Sequence, residues 1–253
     1  SFNSVSIGKG ANSVSSNTVL GVNALDAAVT GNNNTALGYL TLTDNTDGVH
    51  NTAVGSQALT NNTGGDYNTA VGGQALYYTT TGQYNTGLGY DALQDNTTGN
   101  HNTALGYQSL DLNTTASYNT AIGSGSMGST STGSSNVAVG YNSLDANTTG
   151  TENVAVGMHA LGSNTTANNN TAVGHDALAQ NTTGTRNCAF GYQALDANTT
   201  ASDNDAFGAY ALGAVVTGTR NSAFGRSALQ ENTGDDNIAM GHEALKVNTT
   251  GSK

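Results

Sequence analysis

Cysteine is almost absent from this chain. Cys188 is the only cysteine in 253 residues, which excludes a disulfide framework within the chain. Because it stands where other repeats carry threonine or valine, we interpret it as a small core residue. Basic residues are scarce too, with six Lys and Arg against 17 Asp and Glu and a net charge of −11. Nucleic acid and anionic membranes would therefore find no basic patch, and we predict neither as a partner.

Long apolar runs and proline are also missing. No stretch of about 18 apolar residues occurs, so the sequence predicts no membrane insertion by this segment. Apolar residues make up only 36% of the chain and charged residues 9%, with 34 glycines and no proline. This composition alone is typical of disorder. A strict period in the sequence argues for a folded structure instead.

The period is seventeen residues, and its consensus reads N-T-A-V-G-x-x-A-L-x-x-N-T-T-G-x-x. A repeat this short cannot fold alone, so each copy must be one coil of a stacked solenoid. We number the positions of a coil from its first asparagine, and Asn237 comes one residue early. The first asparagines are Asn17, Asn34, Asn51, Asn68, Asn85, Asn102, Asn119, Asn136, Asn153, Asn170, Asn187, Asn204, Asn221 and Asn237.

The pattern predicts an all-β fold, a parallel β-solenoid of 17-residue coils. We expect one elongated domain over 1–253, in which 1–16 form a shorter first coil and 17–253 form fourteen coils, as a segment of a longer fibre protein. Position 4 is always apolar and position 2 alternates between Thr and apolar residues, so both are predicted to face inward in a short strand. Position 3, nearly always alanine, would face outward, and position 9, nearly always leucine, would lie in the core.

The remaining positions suggest how the coil turns and stacks. Glycine at position 5 indicates a corner with positive φ, or a place where a side chain would collide with the next coil. The N-T-T-G arm predicts a second strand with its middle threonine inward. Asparagines at positions 1 and 12 would form amide ladders, and threonines at 2, 13 and 14 hydroxyl ladders. Because each coil has only two large apolar residues, we predict a homotrimer that associates through the alanine face.

The N-terminal stretch Asn3-Ser4-Val5-Ser6-Ile7-Gly8 resembles the head repeat of YadA-type trimeric autotransporter adhesins, and the later N-T-A-V-G units look like the same motif lengthened by three residues. The units are also similar to repeat shafts of phage tail fibres. The resemblance implies a trimer of left-handed parallel β-rolls with Val5 and Ile7 inward. It also implies an extracellular location, on a cell surface or in a virion tail fibre.

Tyrosines recur at two positions of the coil, position 6 and position 17. Such rows can stack sugar rings, or they can stack on each other. Adjacent rings also replace small residues in the coil that begins at Asn68. The residues predicted to contact a surface glycan or host receptor are Tyr77, Tyr78, Tyr67, Tyr84 and Tyr118.

Other polar groups give weaker signals. His159 and Asp176 share a position in successive coils with His175 nearby, which we interpret as surface stacking because no third partner repeats. Asp203 with Asp205, and Asp235 with Asp236, lack the nonapeptide of calcium-binding rolls. We therefore predict no catalytic residue, metal or cofactor. The N-x-T sequons are explained better by amide ladders than by glycosylation.

Three functions fit these features. The first is a non-enzymatic structural and adhesive fibre segment. The second is an ice-binding solenoid, which needs a flat outward threonine face that the predicted inward threonines do not supply. The third is a polysaccharide-degrading tail spike, which needs paired carboxylates at a cleft.

Overall fold

The computed structural model describes residues 6–27 and 29–248, and within them the chain is all-β apart from one 3₁₀ turn at Ala11–Ser13. It divides into two compact units, Ser1–Thr132 (unit 1) and Gly133–Lys253 (unit 2). Each unit is a parallel β-solenoid with coils of about 17 residues, which confirms the predicted fold class. That the whole chain is a single domain stays a prediction.

Every coil contributes one three- or four-residue strand. In unit 1 the strands are β1 (Ser6–Gly8), β2 (Thr18–Gly21), β3 (Thr35–Leu37), β4 (Thr52–Val54), β5 (Thr69–Val71), β6 (Thr86–Leu88), β7 (Thr103–Leu105) and β8 (Thr120–Ile122). In unit 2 they are β9 (Val137–Val139), β10 (Val154–Val156), β11 (Thr171–Val173), β12 (Cys188–Phe190), β13 (Asp205–Phe207), β14 (Ser222–Phe224) and β15 (Ile238–Met240).

The strands stack with equivalent positions opposite each other. In unit 1, β2 to β8 pair in parallel, so that Ala53 lies opposite Ala70 and Val54 opposite Val71. In unit 2, β9 to β15 pair in the same way. β1 pairs antiparallel with β2. That 1–16 form a shorter first coil stays a prediction, since residues 1–5 lie outside the described residues.

The inward and outward faces of the strand are opposite to the prediction. Position 3 is buried in every coil, as at Ala53 and Ala70, whereas positions 2 and 4 are half-exposed or exposed. Gly87 occupies position 3 in one coil, and a methyl group there would lie 3.4 Å from Cγ of Leu76. At that coil only a small side chain fits between the strand and the position 9 leucine, whereas the first coil holds Val19 at position 3, 2% exposed. Ile7 is likewise 67% exposed, and Val5 lies outside the described residues.

The core is a column of position 9 side chains, as predicted. Thirteen of them are fully buried: Leu25, Leu42, Leu59, Leu76, Leu93, Leu110, Met127, Leu144, Leu161, Leu178, Leu195, Leu212 and Leu229. Leu245 occupies the same position in the last described coil, where no described coil covers it, and it is 55% exposed. The core of each coil is thus completed by the coil stacked on it.

The corners of the coil are built from left-handed backbone. Gly72 and Gly174, at position 5, have φ of +139° and +137°, and a Cβ on either would collide with the carbonyl group of the next position 5 glycine. Both predicted reasons for this glycine are therefore confirmed. Positions 7, 9 and 17 also adopt positive φ without being glycine, as at Leu59 (φ 53°) and Tyr67 (φ 57°).

Two columns of buried asparagines join successive coils, which confirms the predicted amide ladders. At position 1, the backbone N–H of Asn51 donates to Oδ1 of Asn34 at 2.9 Å, and its Nδ2 donates to the Gly65 carbonyl at 2.7 Å. At position 12, Nδ2 of Asn62 donates to Oδ1 of Asn45 at 2.7 Å. The amides satisfy backbone groups that would otherwise be buried without partners.

The N-T-T-G arm is a bend, not the second strand that we predicted. Its middle threonine lies at the surface, and the Thr46 hydroxyl donates to the Thr63 carbonyl at 2.9 Å. The prediction of an inward threonine was wrong because the asparagine at position 12 and the small residue at position 15 occupy the interior.

One coil, from Asn221 to Asp236, has 16 residues. β14 and β15 nevertheless stay in register, with Ala223 opposite Ala239. The shortening is taken up in the bend, where Nδ2 of Asn232 reaches the carbonyl two residues later, at Gly234 (2.7 Å), instead of three.

Candidate interaction surfaces

Unit 1 carries a ladder of five stacked rings at position 17: His50, Tyr67, Tyr84, His101 and Tyr118. Successive ring centroids lie 4.9–5.1 Å apart, with interplanar angles of 2–6°. All five side chains are exposed. The three inner rings have both faces covered by their neighbours, so they offer a ligand only their edges and hydroxyl groups. Glycan contact by these tyrosines stays a prediction, and this geometry favours edge contacts over stacking of a sugar ring.

Tyr77 and Tyr78 lie apart from that ladder, at positions 10 and 11. Their rings meet edge to face, with centroids 4.6 Å apart and an interplanar angle of 89°. Tyr78 is exposed and Tyr77 half-exposed. Thr79 follows at position 12, where its buried hydroxyl has no hydrogen-bond partner. Of the five predicted contact residues, Tyr118 at the end of the ladder is the most exposed, at 63%, and Tyr78 is 47% exposed.

The outward strand positions form a surface that the sequence reasoning missed. We call the side chains at positions 2 and 4 of β2–β8 and of β9–β15 the sheet face. In unit 1 it consists of seven threonines at position 2 and seven aliphatic residues at position 4. In unit 2 position 4 includes Phe190, Phe207 and Phe224, stacked with centroids 5.0–5.1 Å apart. Cys188, at position 2, belongs to this face and is half-exposed, so our interpretation of it as a core residue was wrong.

Three carboxylates gather at another corner of unit 1. Burial raises the pKa of Asp111 to about 6, and the nearby Asp91 and Asp95 raise it further. One buried oxygen of Asp111 has no hydrogen-bond partner. Burial also raises the pKa of Asp91, whose carboxylate accepts a hydrogen bond from Gln94 at 2.9 Å. The cluster could not be recognised in the repeat pattern, because its members occupy three different positions in two coils.

The corresponding corner of unit 2 forms a cleft of about 430 Å³. His159 and Asp176 both line it, together with Asp145 and Asp196, which the sequence analysis did not single out. Nδ1 of His175 lies 3.0 Å from a carboxylate oxygen of Asp176. Burial raises the pKa of Asp196, and Asp176 raises it further. The cleft is thus rich in acceptors and suits a ligand that presents hydroxyl or amine donors.

The acidic pairs considered for calcium instead form ion pairs or lie in a strand. Asp203 accepts two hydrogen bonds from Arg186, at 2.6 and 2.8 Å, and Asp236 does so from Arg220. The Arg186 guanidinium lowers the pKa of Asp203. Asp205 stands at position 2 of β13. Among the described residues, no group of three or more His, Cys, Asp or Glu is placed to hold a metal ion.

Position 16 carries a further ladder that we did not predict. Short polar side chains there accept the backbone N–H of the preceding coil, as Asp66 does from Val49 at 2.8 Å and Asn168 from Thr151 at 2.7 Å. The signal was present in the sequence, since Asn, Asp, Ser and Thr predominate at position 16.

Comparison with known proteins adds no relative: no protein-family model matches the chain, and neither a curated protein nor a solved structure shows significant similarity to it. In the described part of the chain, no helix has the length and apolar character needed to cross a membrane.

Proposed function

We propose that this chain is a non-enzymatic segment of an extracellular fibre, a homotrimer of left-handed β-rolls that holds or contributes to an attachment site. It would belong to a cell-surface adhesin or a phage tail fibre. The observation that carries the proposal is the column structure of each unit. Every coil repeats the same backbone and the same buried amide contacts, so coils add length without changing the fold.

The scaffold role is tested by changing the number of coils. Removing residues 51–101 joins His50 to Asn102 and deletes three whole coils of unit 1. We expect the chain to keep a cooperative melt, and its maximum dimension in small-angle scattering to fall by about 14 Å, at about 4.8 Å per coil. Removing 51–97 instead breaks the columns and should abolish the melt. If both deletions melt alike, the scaffold proposal is wrong.

The attachment role is tested on an array of surface glycans. The full chain should bind, and the double change Tyr77→Ser with Tyr78→Ser should reduce binding at least tenfold, because aromatic contacts dominate small polar interfaces. Thr98→Ser is the matched control on an exposed threonine. Equal binding by the double variant would remove this contact point.

A second candidate function, ice binding, is favoured by one specific observation. The seven threonines at position 2 of unit 1 face outward in register, on strands about 4.8 Å apart. The inward threonines that argued against this function are therefore not a feature of the fold. Inhibition of ice recrystallisation by the full chain, lost in Thr69→Tyr and kept in Thr98→Tyr, would establish it. Inactive wild-type chain would dispose of it.

A further inference from the structure

In each unit the sheet face is an exposed, largely uncharged surface with a column of apolar side chains at position 4. At position 4 of unit 1, Leu20, Leu37, Leu88 and Leu105 are 40–45% exposed. At position 4 of unit 2, Phe190 and Phe224 are 37–38% exposed and stack against Phe207. Soluble monomers rarely leave contiguous apolar patches of this size open, and such patches mark interaction sites.

We propose that copies of this chain associate through the sheet face, parallel to one another and in register. The inference rests on the proposed fibre function for the parallel arrangement, since a trimer whose axis runs along the columns requires parallel copies. It replaces the alanine face, which the structure places in the core.

The area of the face fits a stable interface. In unit 1 it comprises fourteen side chains, of which eight are exposed and six are half-buried. At about 50 Å² each on average, they offer on the order of 700 Å², close to the area of about 800 Å² that one partner buries in a standard protein interface. Unit 2 offers a similar number of side chains with more aromatic area. The face is therefore large enough for assembly without help from other surfaces.

Charge favours a second copy as the occupant. The chain has a net charge of −11, so two copies repel each other over most of their surfaces. In unit 1 the sheet face contains no charged residue, and in unit 2 Asp205 is the only one at positions 2 and 4. Copies can thus approach at this face with the least like-charge repulsion.

Spacing also favours a second copy in register. The face is a set of columns with one side chain per strand, about 4.8 Å apart. Another copy has the same period, so its side chains can fit against the columns at every coil. A shift by one or more coils would leave apolar residues uncovered at both ends. The largest burial is reached with no shift.

The face is tested by placing a charge on it. Val71→Glu in unit 1 combined with Phe207→Glu in unit 2 should raise the dissociation constant at least 100-fold, as measured by sedimentation equilibrium of the full chain. The fold should survive, because both side chains are only half-buried within the chain. Thr98→Glu combined with Thr183→Glu adds the same charge at exposed position 14 and should leave assembly unchanged. A monomeric wild type, or assembly unaffected by the sheet-face changes, would overturn the proposal.

The register is tested by the single cysteine. Cys188 lies on the face, so a short bismaleimide should join Cys188 of one copy to Cys188 of another in the assembled wild type. Burial raises the pKa of this thiol and Asp205 raises it further, so the reaction needs mildly alkaline pH. A chain with Cys188→Ser and Thr98→Cys should not crosslink. Assembly without crosslinks at Cys188 would overturn the in-register arrangement. If the wild type forms a dimer that the sheet-face changes disrupt, the proposed trimeric fibre is wrong, but the sheet face is still the interface.

Discussion

The two units use the same backbone to build different surfaces. At position 17, unit 1 stacks His50, Tyr67, Tyr84, His101 and Tyr118, whereas unit 2 pairs Arg186 with Asp203 and Arg220 with Asp236. At position 4 the stacked aromatic rings are in the other unit: unit 1 has aliphatic residues there, and unit 2 has stacked phenylalanines. In both units a surface side chain contacts its equivalent one coil away. The chemistry of each surface is therefore set by the side chains at one coil position, stacked along successive coils. The shared backbone accepts aromatic, charged or aliphatic side chains there.

The largest expected effect comes from the shared core. Leu93→Asp in unit 1, or Leu178→Asp in unit 2, buries an unpaired carboxylate and should cost about 4 kcal/mol or more of unfolding free energy. Hydrogen exchange read separately over the two units would show whether the damage stays in the altered unit. Leu245→Asp is the matched control, because this position 9 residue is exposed, and it should cost less than about 1 kcal/mol. Equal losses at all three sites would contradict the assignment of the core.

The position 5 corner should give the next largest effect, and an equal one in the two units. Gly72→Ala and Gly174→Ala combine strained backbone with a collision against the next coil, and each should cost about 3 kcal/mol in thermal melts. Gly241→Ala has the same positive φ, but its nearest neighbour would lie 3.9 Å away. It should cost only about 1 kcal/mol. If Gly241→Ala is as damaging as the others, backbone strain alone explains the glycine.

Smaller effects are expected where another residue replaces asparagine in the position 12 column, which happens at different coils in the two units. In unit 1 the Thr130 hydroxyl and Oδ1 of Asn113 are buried without partners, and in unit 2 Oδ1 of Asn198 is unpartnered where Val215 follows in the column. Thr130→Asn and Val215→Asn should each stabilise their unit by about 1 kcal/mol in urea unfolding, because each restores a donor. The reverse change, Asn96→Thr, removes the acceptor of Asn113 Nδ2 and should destabilise by a similar amount. Destabilisation by Thr130→Asn would contradict this account of the column.

Acid should act in opposite directions through two carboxylates, Asp111 in unit 1 and Asp203 in unit 2. The folded pKa of Asp111 is raised, so its ionised form opposes folding, and unit 1 should become more stable as the pH falls from about 6 towards 3.8. Because Asp111 is only half-buried, Asp111→Asn should stabilise unit 1 at pH 7 by only about 1 kcal/mol. Asp203 has a lowered pKa, so its contribution to unit 2 is lost as the pH falls through that lowered value. Hydrogen exchange from pH 7 to well below 3.8 would reveal both trends, as a gain in unit 1 that Asp111→Asn abolishes and, at lower pH, a loss in unit 2 around Asp203. A loss of stability in unit 1 between pH 6 and 3.8 would refute the role of Asp111.

The smallest effects concern position 17 itself. Tyr84→Ser removes two ring contacts and should cost about 1 kcal/mol, independently of salt. Arg186→Ser removes an exposed ion pair in unit 2, and its effect should vanish in molar salt because exposed charges are screened. Tyr39→Ser, outside the ladder, is the control. Melts at low and high salt would show the difference, and salt-dependent loss at Tyr84 would contradict ring stacking.

Much of the fold could be predicted from the sequence because a strict period leaves few alternatives. In a solenoid, identical residues of successive coils lie above one another. From this follow the register, the amide columns at positions 1 and 12, the glycine corner and the leucine core. Which strand positions face the core could not be predicted in the same way. Val54 and Leu88 were expected inside because position 4 is always apolar, but the space opposite the leucine column is narrow and is filled by alanine at position 3 in most coils. The large side chains therefore lie outside, where the apolar pattern alone would not put them.

The candidate site was less predictable, for a related reason. The rings of the ladder were visible in the sequence as a column at position 17, which holds His50 and His101 as well as the tyrosines, but only the tyrosines were predicted to contact a ligand. The cleft of unit 2 joins positions 7 and 10 of neighbouring coils, as at Asp176 and Asp196. No pattern within one repeat indicates such a pairing. Sites formed by different positions of neighbouring coils therefore cannot be predicted from the repeat consensus.

The 16-residue coil from Asn221 to Asp236 shows where a coil can lose a residue without disturbing the sheet. One residue is missing from the bend, yet the neighbouring strands remain aligned, since hydrogen bonds of Asn232 and Asn221 both find the carbonyl of Gly234. Length variation at that bend is thus decoupled from the sheet. A peptide grafted there would be displayed once per coil at a fixed height along a column, which makes the bend a natural place to install new recognition loops.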